Sequence, residues 1–145
     1  MFGDYETGSP EETRDLAARL GETLKGDETI LLYGDFGAGK TTFVQGLVRG
    51  LGGDEKQVSS PSFVIAQQYH ARVPVIHVDL YRLHDLKAII EAGVLDYLEA
   101  PGVCVVEWAD RLKPFHLPAI HVMFDITDPD RRRIRVQAEM ALREI

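Results

Sequence analysis

Residues 34–41 carry the most specific chemistry in this sequence. They read Gly-Asp-Phe-Gly-Ala-Gly-Lys-Thr, which matches G-x-x-x-x-G-K-[ST], the pattern of a phosphate-binding P-loop. The three glycines let the backbone turn tightly and present several N–H groups to one anion. Lys40 would bring its charge to the β- and γ-phosphates, and the Thr41 hydroxyl would reach a magnesium ion. The motif therefore predicts that the chain binds a nucleoside triphosphate with Mg²⁺.

The residues on either side of the motif predict the strand and the helix that a P-loop joins. Residues 28–33 form a short apolar run with β-branched and aromatic side chains, which is typical of a buried strand. Apolar residues then recur at helical spacing from Phe43 to Leu51, until two glycines end the pattern. The helix would add the positive end of its dipole to the anion site. The predicted nucleotide-binding residues are Gly34, Asp35, Phe36, Gly37, Ala38, Gly39, Lys40, Thr41 and Thr42.

Two carboxylates, Asp79 and Glu107, each end an apolar run that is typical of a buried strand. Ligands of α/β sheets bind beyond the carboxyl ends of parallel strands. Both acids therefore suit a magnesium site if their strands run parallel to the strand before the P-loop. The alternative for each acid is structural, in that it caps a loop or pairs with Arg82 or Arg111. The predicted catalytic residues are Lys40, Asp79 and Glu107, and the predicted metal ligands are Thr41, Asp79 and Glu107.

Three further features leave a chemical and a structural interpretation open. His77 would face the same side of its strand as Asp79 and could orient that carboxylate or a water, although a satisfied core histidine is the more common outcome. Trp108 could stack on a partner or a base, or belong to the core. The hydroxyl-rich stretch 58–63 could sense the γ-phosphate, or could be a plain turn of serine and proline.

The remaining patterns predict one α/β domain over residues 1–145. Ser9, Pro10 and Glu12 form a capping-box start for a first helix, which Gly26 would end. The other predicted elements are strands at 63–69, 75–78 and 103–106, a helical stretch at 84–99 broken at Gly93, and a C-terminal strand pair at 120–126 and 134–138. This order favours a P-loop NTPase-like fold, with a mostly parallel central sheet flanked by helices.

Composition narrows the partners and the location. The chain has 16 Lys and Arg against 23 Asp and Glu, a net charge of −7, whereas a dedicated nucleic-acid-binding domain usually has a basic face. RNA could be touched only through a local patch such as the arginines at 131–133, for which a solvated turn is the favoured alternative. Cys104, the single cysteine, lies among valines and is predicted to be a buried apolar residue. Without a long apolar run or a signal-peptide pattern, we expect a cytoplasmic location and no membrane partner.

The absence of asparagine narrows the choice of base. Because the guanine-reading Asn-Lys-x-Asp motif is impossible in this sequence, ATP is favoured over GTP. Two other P-loop functions stay open, a small-molecule kinase and a nucleotide-dependent switch with negligible hydrolysis. A kinase needs an acceptor pocket and usually a lid with an arginine, for which the residues after the P-loop leave little room. Since no strong general base is obvious, a partner could complete the site.

Four segments, at 34–42, 58–63, 77–82 and 106–108, occur in an order that resembles one family. The third and fourth, His-Val-Asp-Leu-Tyr-Arg and Val-Glu-Trp, are far more distinctive than the P-loop. Together they resemble the bacterial TsaE (YjeE) family, the small ATPase component of the tRNA N6-threonylcarbamoyladenosine (t6A) modification system. The resemblance covers nearly the whole chain. It departs from the family pattern at Ser62, where threonine is usual, and at Phe36, where leucine is usual.

The resemblance implies ATP and Mg²⁺ as cofactors, with Thr41 and Glu107 near the metal, Asp79 as the Walker B-like acid and residues 59–63 as a switch-like loop. It also implies two protein partners, the catalytic and dimerisation subunits of the t6A transferase, and at most indirect contact with tRNA. In that case the protein does not transfer the threonylcarbamoyl group. Its ATP hydrolysis, weak alone, would support the complex that modifies adenosine 37 of tRNAs reading codons that begin with A.

Overall fold

The computed structural model describes residues 2–59, 65–115 and 117–138. The strands are β1 (Gly3–Thr7), β2 (Thr29–Tyr33), β3 (Ala66–His70), β4 (Pro74–Asp79), β5 (Val103–Glu107), β6 (Ile120–Asp128) and β7 (Arg131–Ala138). The helices are α1 (Pro10–Thr23), α2 (Lys40–Gly50), α3 (Leu86–Glu91) and α4 (Val94–Glu99), with 3-10 segments at Glu55–Gln57 and Ala109–Phe115.

The strands form one seven-stranded sheet in the order β1-β7-β6-β2-β5-β4-β3. Its centre, β6-β2-β5-β4, is parallel, and β3, β7 and β1 pair antiparallel at the two sides. The strand β2 lies between two parallel neighbours, and its residues Ile30, Leu31 and Leu32 are all buried. The predicted α/β fold with a mostly parallel centre, flanking helices and a C-terminal strand pair is confirmed.

Helices cover both faces of the central sheet. On one face α1 and α2 pack against β2, so that Leu16 and Phe43 share a core cluster with Ile30. On the other face α3, α4 and the 3-10 segment after β5 build a second cluster, in which Ile89 lies with Leu31. Successive residues of β2 therefore belong to the core clusters on opposite faces of the sheet, as the two-residue period of a strand requires. The P-loop begins at the carboxyl end of β2.

The first helix starts as predicted and ends slightly earlier. The Ser9 hydroxyl accepts from the Glu12 N–H at 3.1 Å, and Pro10 is the first helical residue. The Glu12 carboxylate accepts from the Gly8 N–H at 2.7 Å, one residue before the cap. The helix ends at Thr23, and Gly26 follows in the connection to β2. The predicted break in residues 84–99 is also confirmed, because Gly93 (φ 79°) separates α3 from α4.

The sequence patterns missed one strand and made two others too short. The sequence patterns gave no sign of β1, which pairs with β7 and places Asp4 3.0 Å from Arg135. Both C-terminal strands are longer than predicted, so that only Pro129 and Asp130 lie between them. The arginines at 131–133 belong to β7 rather than to a turn. Local patterns missed β1 because its partner strand lies at the other end of the sequence.

The strand predicted at 63–69 appears as β3, and residues 63 and 64 lie outside the described residues. In the part of the chain that the structure describes, no helix is both long and apolar enough to cross a membrane.

Candidate nucleotide-binding site

The P-loop connects the end of β2 to the start of α2, as predicted. Gly37 (φ 75°) and Gly39 (φ 102°) adopt left-handed backbone conformations that strain any other residue. Gly39 is the N-cap of α2 and makes no side-chain capping hydrogen bond, in contrast to Ser9 at α1. The first N–H groups of α2 are therefore left for an anion, which the helix dipole also favours.

The nine predicted nucleotide-binding residues all lie in this connection or in the first turn of α2. Asp35, Phe36 and Gly37 are exposed at the tip of the loop, whereas Ala38 packs into the core beneath it. The side chains of Thr41 and Thr42 are partly exposed at the start of α2. The loop is rich in glycine, which is conformationally permissive, yet its backbone has a defined conformation here.

Lys40 is the first residue of α2 and has a buried side chain, 5% exposed. Its Nζ donates to the Gly34 carbonyl at 2.5 Å and lies 3.9 Å from the ring centre of Trp108. Burial lowers the pKa of Lys40, and the negative charges of Glu107 and Asp79 oppose that shift. The ammonium group therefore occupies the site next to the acidic residues that the sequence predicted.

Asp79 and Glu107 end adjacent parallel strands and are register partners across β4 and β5. Glu107 is also paired in register with Leu32 of β2, so all three strands deliver their carboxyl ends to the same edge. This confirms the parallel arrangement that their predicted roles required. Burial raises the pKa of Asp79 and the charge of Glu107 adds to the rise, although the Tyr81 N–H donates to Asp79 Oδ1 at 2.9 Å.

His77 pairs with a different acid from the one that the sequence suggested. The ring is fully buried, and its Nε2 lies 2.5 Å from Glu107 Oε2. In register His77 lies opposite Val105, so Glu107 is the diagonal neighbour on the same face of β5. Both ring nitrogens of His77 have partners other than Asp79, as expected of the satisfied core histidine that was the more common alternative. Its partner, however, is a predicted site residue.

Trp108 lies at the mouth of the P-loop in an aromatic cluster with Phe36 and Tyr81. The three ring centres are 4.8–5.1 Å apart, and Phe36 is 66% exposed. Trp108 is only partly buried and has a positive φ of 58°, so it belongs to the site edge as much as to the core.

Among the described residues, neither Arg82 nor Arg111 pairs with the two acids, although Asp79 caps the following turn by accepting from the Tyr81 N–H. Arg111 donates instead to the carbonyls of Leu80, Tyr81 and Leu83, which brace the chain after β4. Arg82 is exposed, and within the described residues it forms no ion pair. The acids at the strand ends are therefore not neutralised by these arginines.

A cleft of about 440 Å³ adjoins the other side of the loop. Its walls include Ser9, Thr13, Thr42 and Arg132. The Arg132 guanidinium donates to the Gly37 carbonyl at 3.0 Å and so ties the β6–β7 hairpin to the P-loop. Sequence patterns did not place Arg132 at the site, because only the folded hairpin brings it there.

The residues present suit a magnesium ion that is shared with phosphates. Across residues 2–59, 65–115 and 117–138, no three His, Cys, Asp or Glu side chains gather as a metal-binding group. These residues therefore form no complete protein cage, and the candidate ligands are the two carboxylates at the strand ends and the Thr41 hydroxyl on α2. Mg²⁺ is typically bound by one or two carboxylates together with substrate phosphates. The switch-like stretch can be placed only at Ser59, because Ser62 and its neighbours at 60–64 lie outside the described residues.

Comparison with known proteins decides the family. The family model of the threonylcarbamoyl adenosine biosynthesis protein TsaE matches residues 7–135. The chain belongs to the TsaE family. The TsaE of Bacillus subtilis is 41% identical over 110 residues, covering 75% of this chain and 68% of the relative. The TsaE of Nostoc is 38% identical over 131 residues, covering 87% and 80%.

A solved structure supports the same assignment. The crystal structure of Bacillus subtilis YdiB matches with a TM-score of 0.74 at 31% identity, covering 97% of this chain and 91% of that one. The resemblance to the TsaE family that the four sequence segments suggested is therefore confirmed, and so is the fold that it implied.

Proposed function

We propose that this TsaE-family protein binds and hydrolyses Mg-ATP in support of tRNA threonylcarbamoyladenosine biosynthesis. The observation that carries the proposal is the meeting of the P-loop with Asp79 and Glu107 at one edge of the parallel sheet. The relatives from Bacillus subtilis and Nostoc are both named tRNA threonylcarbamoyladenosine biosynthesis proteins, which supports the biological context.

The P-loop would hold the triphosphate through main-chain N–H groups and one ammonium group. Lys40 Nζ now donates to the Gly34 carbonyl, and this bond would be exchanged for phosphate oxygens. The exchange is favourable because a phosphate oxygen carries negative charge, which the neutral Gly34 carbonyl oxygen lacks. Burial of Lys40 further strengthens the interaction, since the local dielectric is lower than that of water.

Thr41, Asp79 and Glu107 would hold the magnesium ion or its water shell. When bound, Mg²⁺ neutralises charge that develops on the phosphate oxygens during phosphoryl transfer. The Glu107 carboxylate uses Oε2 for His77, and no described residue donates to its Oε1. Asp79 has a raised pKa that arises from burial and from the nearby Glu107 charge, and the charge of a bound Mg²⁺ would favour the ionised form of Asp79.

The cleft of about 440 Å³ beside Thr42 is a suitable place for the nucleoside. It adjoins Gly37 and Gly39 on the side away from the carboxylates, where the sugar and base would continue from the α-phosphate. The Ser9 hydroxyl and the Arg132 guanidinium supply polar groups there. Adenine is favoured over guanine because the sequence has no asparagine for a guanine-reading motif.

The proposed partners are the catalytic and dimerisation subunits of the t6A transferase, with tRNA in at most indirect contact. The protein would not transfer the threonylcarbamoyl group itself. Hydrolysis by the chain alone would be weak, because positioning and charge stabilisation dominate phosphoryl transfer and a partner could supply a missing arginine. A cytoplasmic setting follows from the tRNA substrate of the system.

Calorimetry with Mg-ATP and Mg-GTP tests binding, and phosphate release with and without the two transferase subunits and tRNA tests the function. We expect Mg-ATP binding that Lys40→Ala abolishes, and phosphate release that the partners increase. Transfer of phosphate to a nucleoside or metabolite would indicate a kinase instead. Absence of Mg-ATP binding with and without the partners would refute the proposal.

A further inference from the structure

Three polar side chains form a buried hydrogen-bonded chain that leads from β3 through β4 to the end of β5. Tyr69 is 3% exposed, His77 is fully buried and Glu107 is 5% exposed. The Tyr69 hydroxyl lies 2.9 Å from His77 Nδ1, and His77 Nε2 lies 2.5 Å from Glu107 Oε2. We call these residues the Tyr-His-Glu chain.

Hydrogen-bonding chemistry sets the direction of the bond at Glu107. An ionised carboxylate only accepts, so His77 Nε2 must carry a proton and donate it to Oε2. Nδ1 then faces the Tyr69 hydroxyl, which can serve as donor or acceptor. The same hydroxyl lies 3.1 Å from the Ser59 carbonyl, where the hydroxyl-rich stretch begins. Both ring nitrogens are therefore engaged, and the imidazole cannot rotate without losing two bonds.

The Tyr-His-Glu chain binds only one of the two carboxylate oxygens of Glu107. Oε2 accepts from His77, whereas no described residue donates to Oε1. An unsupported glutamate would sample several rotamers, and each rotamer would move Oε1 by ångströms. Outer hydrogen bonds of this kind orient metal-binding carboxylates, and their removal typically reduces metal affinity by about 10- to 100-fold.

We propose that His77 and Tyr69 are positioning residues that hold the Glu107 carboxylate in the orientation used for the nucleotide-bound metal. This inference rests on the proposed Mg-ATP site. We expect neither residue to touch the nucleotide, because Tyr69 is 3% exposed and His77 is fully buried. Their effect reaches the metal through Glu107 alone.

The test measures metal binding directly, with Mn²⁺ as the probe. Protein saturated with a non-hydrolysable ATP analogue is titrated with Mn²⁺ and followed by electron paramagnetic resonance. The variants are Tyr69→Phe, which removes one oxygen atom, His77→Leu, which removes both bonds, and His77→Gln, which can still donate to Glu107. Tyr97→Phe is the matched control, because it removes a tyrosine hydroxyl on α4, away from the chain.

We expect Mn²⁺ affinity to fall by roughly 10-fold or more in His77→Leu, less in His77→Gln, and several-fold in Tyr69→Phe. Affinity for the analogue in metal-free buffer should stay within about twofold, because the P-loop is unchanged. Tyr97→Phe should bind Mn²⁺ as the unmodified protein does. If His77→Leu does not fold, Tyr69→Phe and His77→Gln still decide the question.

Unchanged Mn²⁺ affinity in Tyr69→Phe and His77→Gln, together with lower melting temperatures, would overturn the inference and leave the chain a purely structural feature. A different result would identify a failure of the proposed function itself. In that case the unmodified protein would bind neither the analogue nor Mn²⁺, which separates this failure from a loss of Mn²⁺ affinity in the variants alone.

Discussion

The ammonium group of Lys40 lies 3.9 Å from the ring centre of Trp108, while the same group donates to the Gly34 carbonyl at 2.5 Å. A cation over a tryptophan face is attracted by the negative face of the ring. Two contacts within the site, one with the Trp108 ring and one with the Gly34 carbonyl, therefore hold the Lys40 side chain. Binding of a phosphate would draw the ammonium group away from both, so the surroundings of Trp108 report on the position of Lys40.

The first prediction uses Trp108, the single tryptophan of the chain. Because Lys40 would leave the ring on phosphate binding, we expect saturating Mg-ATP to change the intensity or wavelength of tryptophan emission. Fluorescence titration measures the change. In Lys40→Met, addition of Mg-ATP should have no effect on the emission. An unchanged spectrum at a nucleotide concentration shown by calorimetry to saturate the unmodified protein would contradict the proposed movement.

The second prediction concerns the affinity that Lys40 supplies. Lys40→Ala removes the charged donor and leaves the backbone N–H groups, so triphosphate binding should be lost or weakened by at least 10- to 100-fold, about 1.5–3 kcal/mol for a bond to a charged group. Isothermal titration calorimetry with Mg-ATP measures this loss. Lys87→Ala, on the exposed surface of α3, is the control and should bind normally. Retained affinity in Lys40→Ala would refute the P-loop assignment.

Local sequence patterns predicted the place of the P-loop between a strand and a helix, which the structure confirms. The P-loop could be predicted because its glycines, lysine and threonine all lie within residues 34–41, and because β2 and α2 have short-range patterns of apolar spacing. The buried state of Cys104 could also be predicted from its valine neighbours. The side chain is 3% exposed, and burial raises the pKa of its thiol to about 12.

Features that depend on which strands are neighbours could not be predicted in the same way. The His77–Glu107 bond requires β4 and β5 to be adjacent and in one register. The position of Arg132 against Gly37 requires the β6–β7 hairpin to fold over the P-loop. The strand β1 pairs with the last strand of the sheet. In each case the two partners are far apart in sequence, so the pairing carries no local pattern.

The third prediction separates metal-dependent chemistry from nucleotide binding. Glu107→Ala removes a proposed metal ligand but no P-loop donor, so phosphate release in the presence of the partners should fall far more than Mg-ATP affinity. Phosphate release and calorimetry on the same preparation give the two values. Glu22→Ala, on the exposed side of α1, should change neither. Equal loss of hydrolysis and binding would indicate that Glu107 has a structural role.

The fourth prediction follows from the raised pKa of Asp79, which burial and the Glu107 charge cause. Because the folded state favours the protonated form, ionisation of Asp79 costs stability at pH values above its folded pKa, and the cost disappears below the unfolded pKa. Asp79→Asn has no charge at any pH. Without metal, we expect it to be more stable at pH 7 by a few tenths to about 1 kcal/mol, since the carboxylate is half-exposed and screened.

Urea unfolding in the presence of a chelator at pH 7 and near pH 4 measures the effect. The advantage of Asp79→Asn should shrink at the lower pH, while its phosphate release is lost. Asp27→Asn, an exposed acid between α1 and β2, is the control. An advantage that is absent at pH 7, or that grows as the pH falls, would show that burial of Asp79 does not disfavour its charge.

The last prediction concerns the close contact between α1 and α2. The helix α2 follows the P-loop and also packs against the sheet. A Cβ atom on Gly46 would lie 2.2 Å from the Arg14 carbonyl oxygen and 2.7 Å from Arg14 Cα. Glycine to alanine in an exposed helix normally stabilises by about 1 kcal/mol. Here the sign should reverse, because the added methyl group meets backbone atoms that cannot move aside without separating the two helices.

We expect Gly46→Ala to lower the free energy of unfolding by about 1–3 kcal/mol, the usual cost of overpacking, as measured by urea unfolding. Gly8→Ala is the matched control, since its Cβ would meet only the flexible Glu12 carboxylate at 3.5 Å. Its stability should stay within about 0.5 kcal/mol. A Gly46→Ala protein as stable as the unmodified one would mean that α1 and α2 do not approach as closely as the structure has them. In that case the helix that positions Lys40 would be held mainly by its contacts with the sheet.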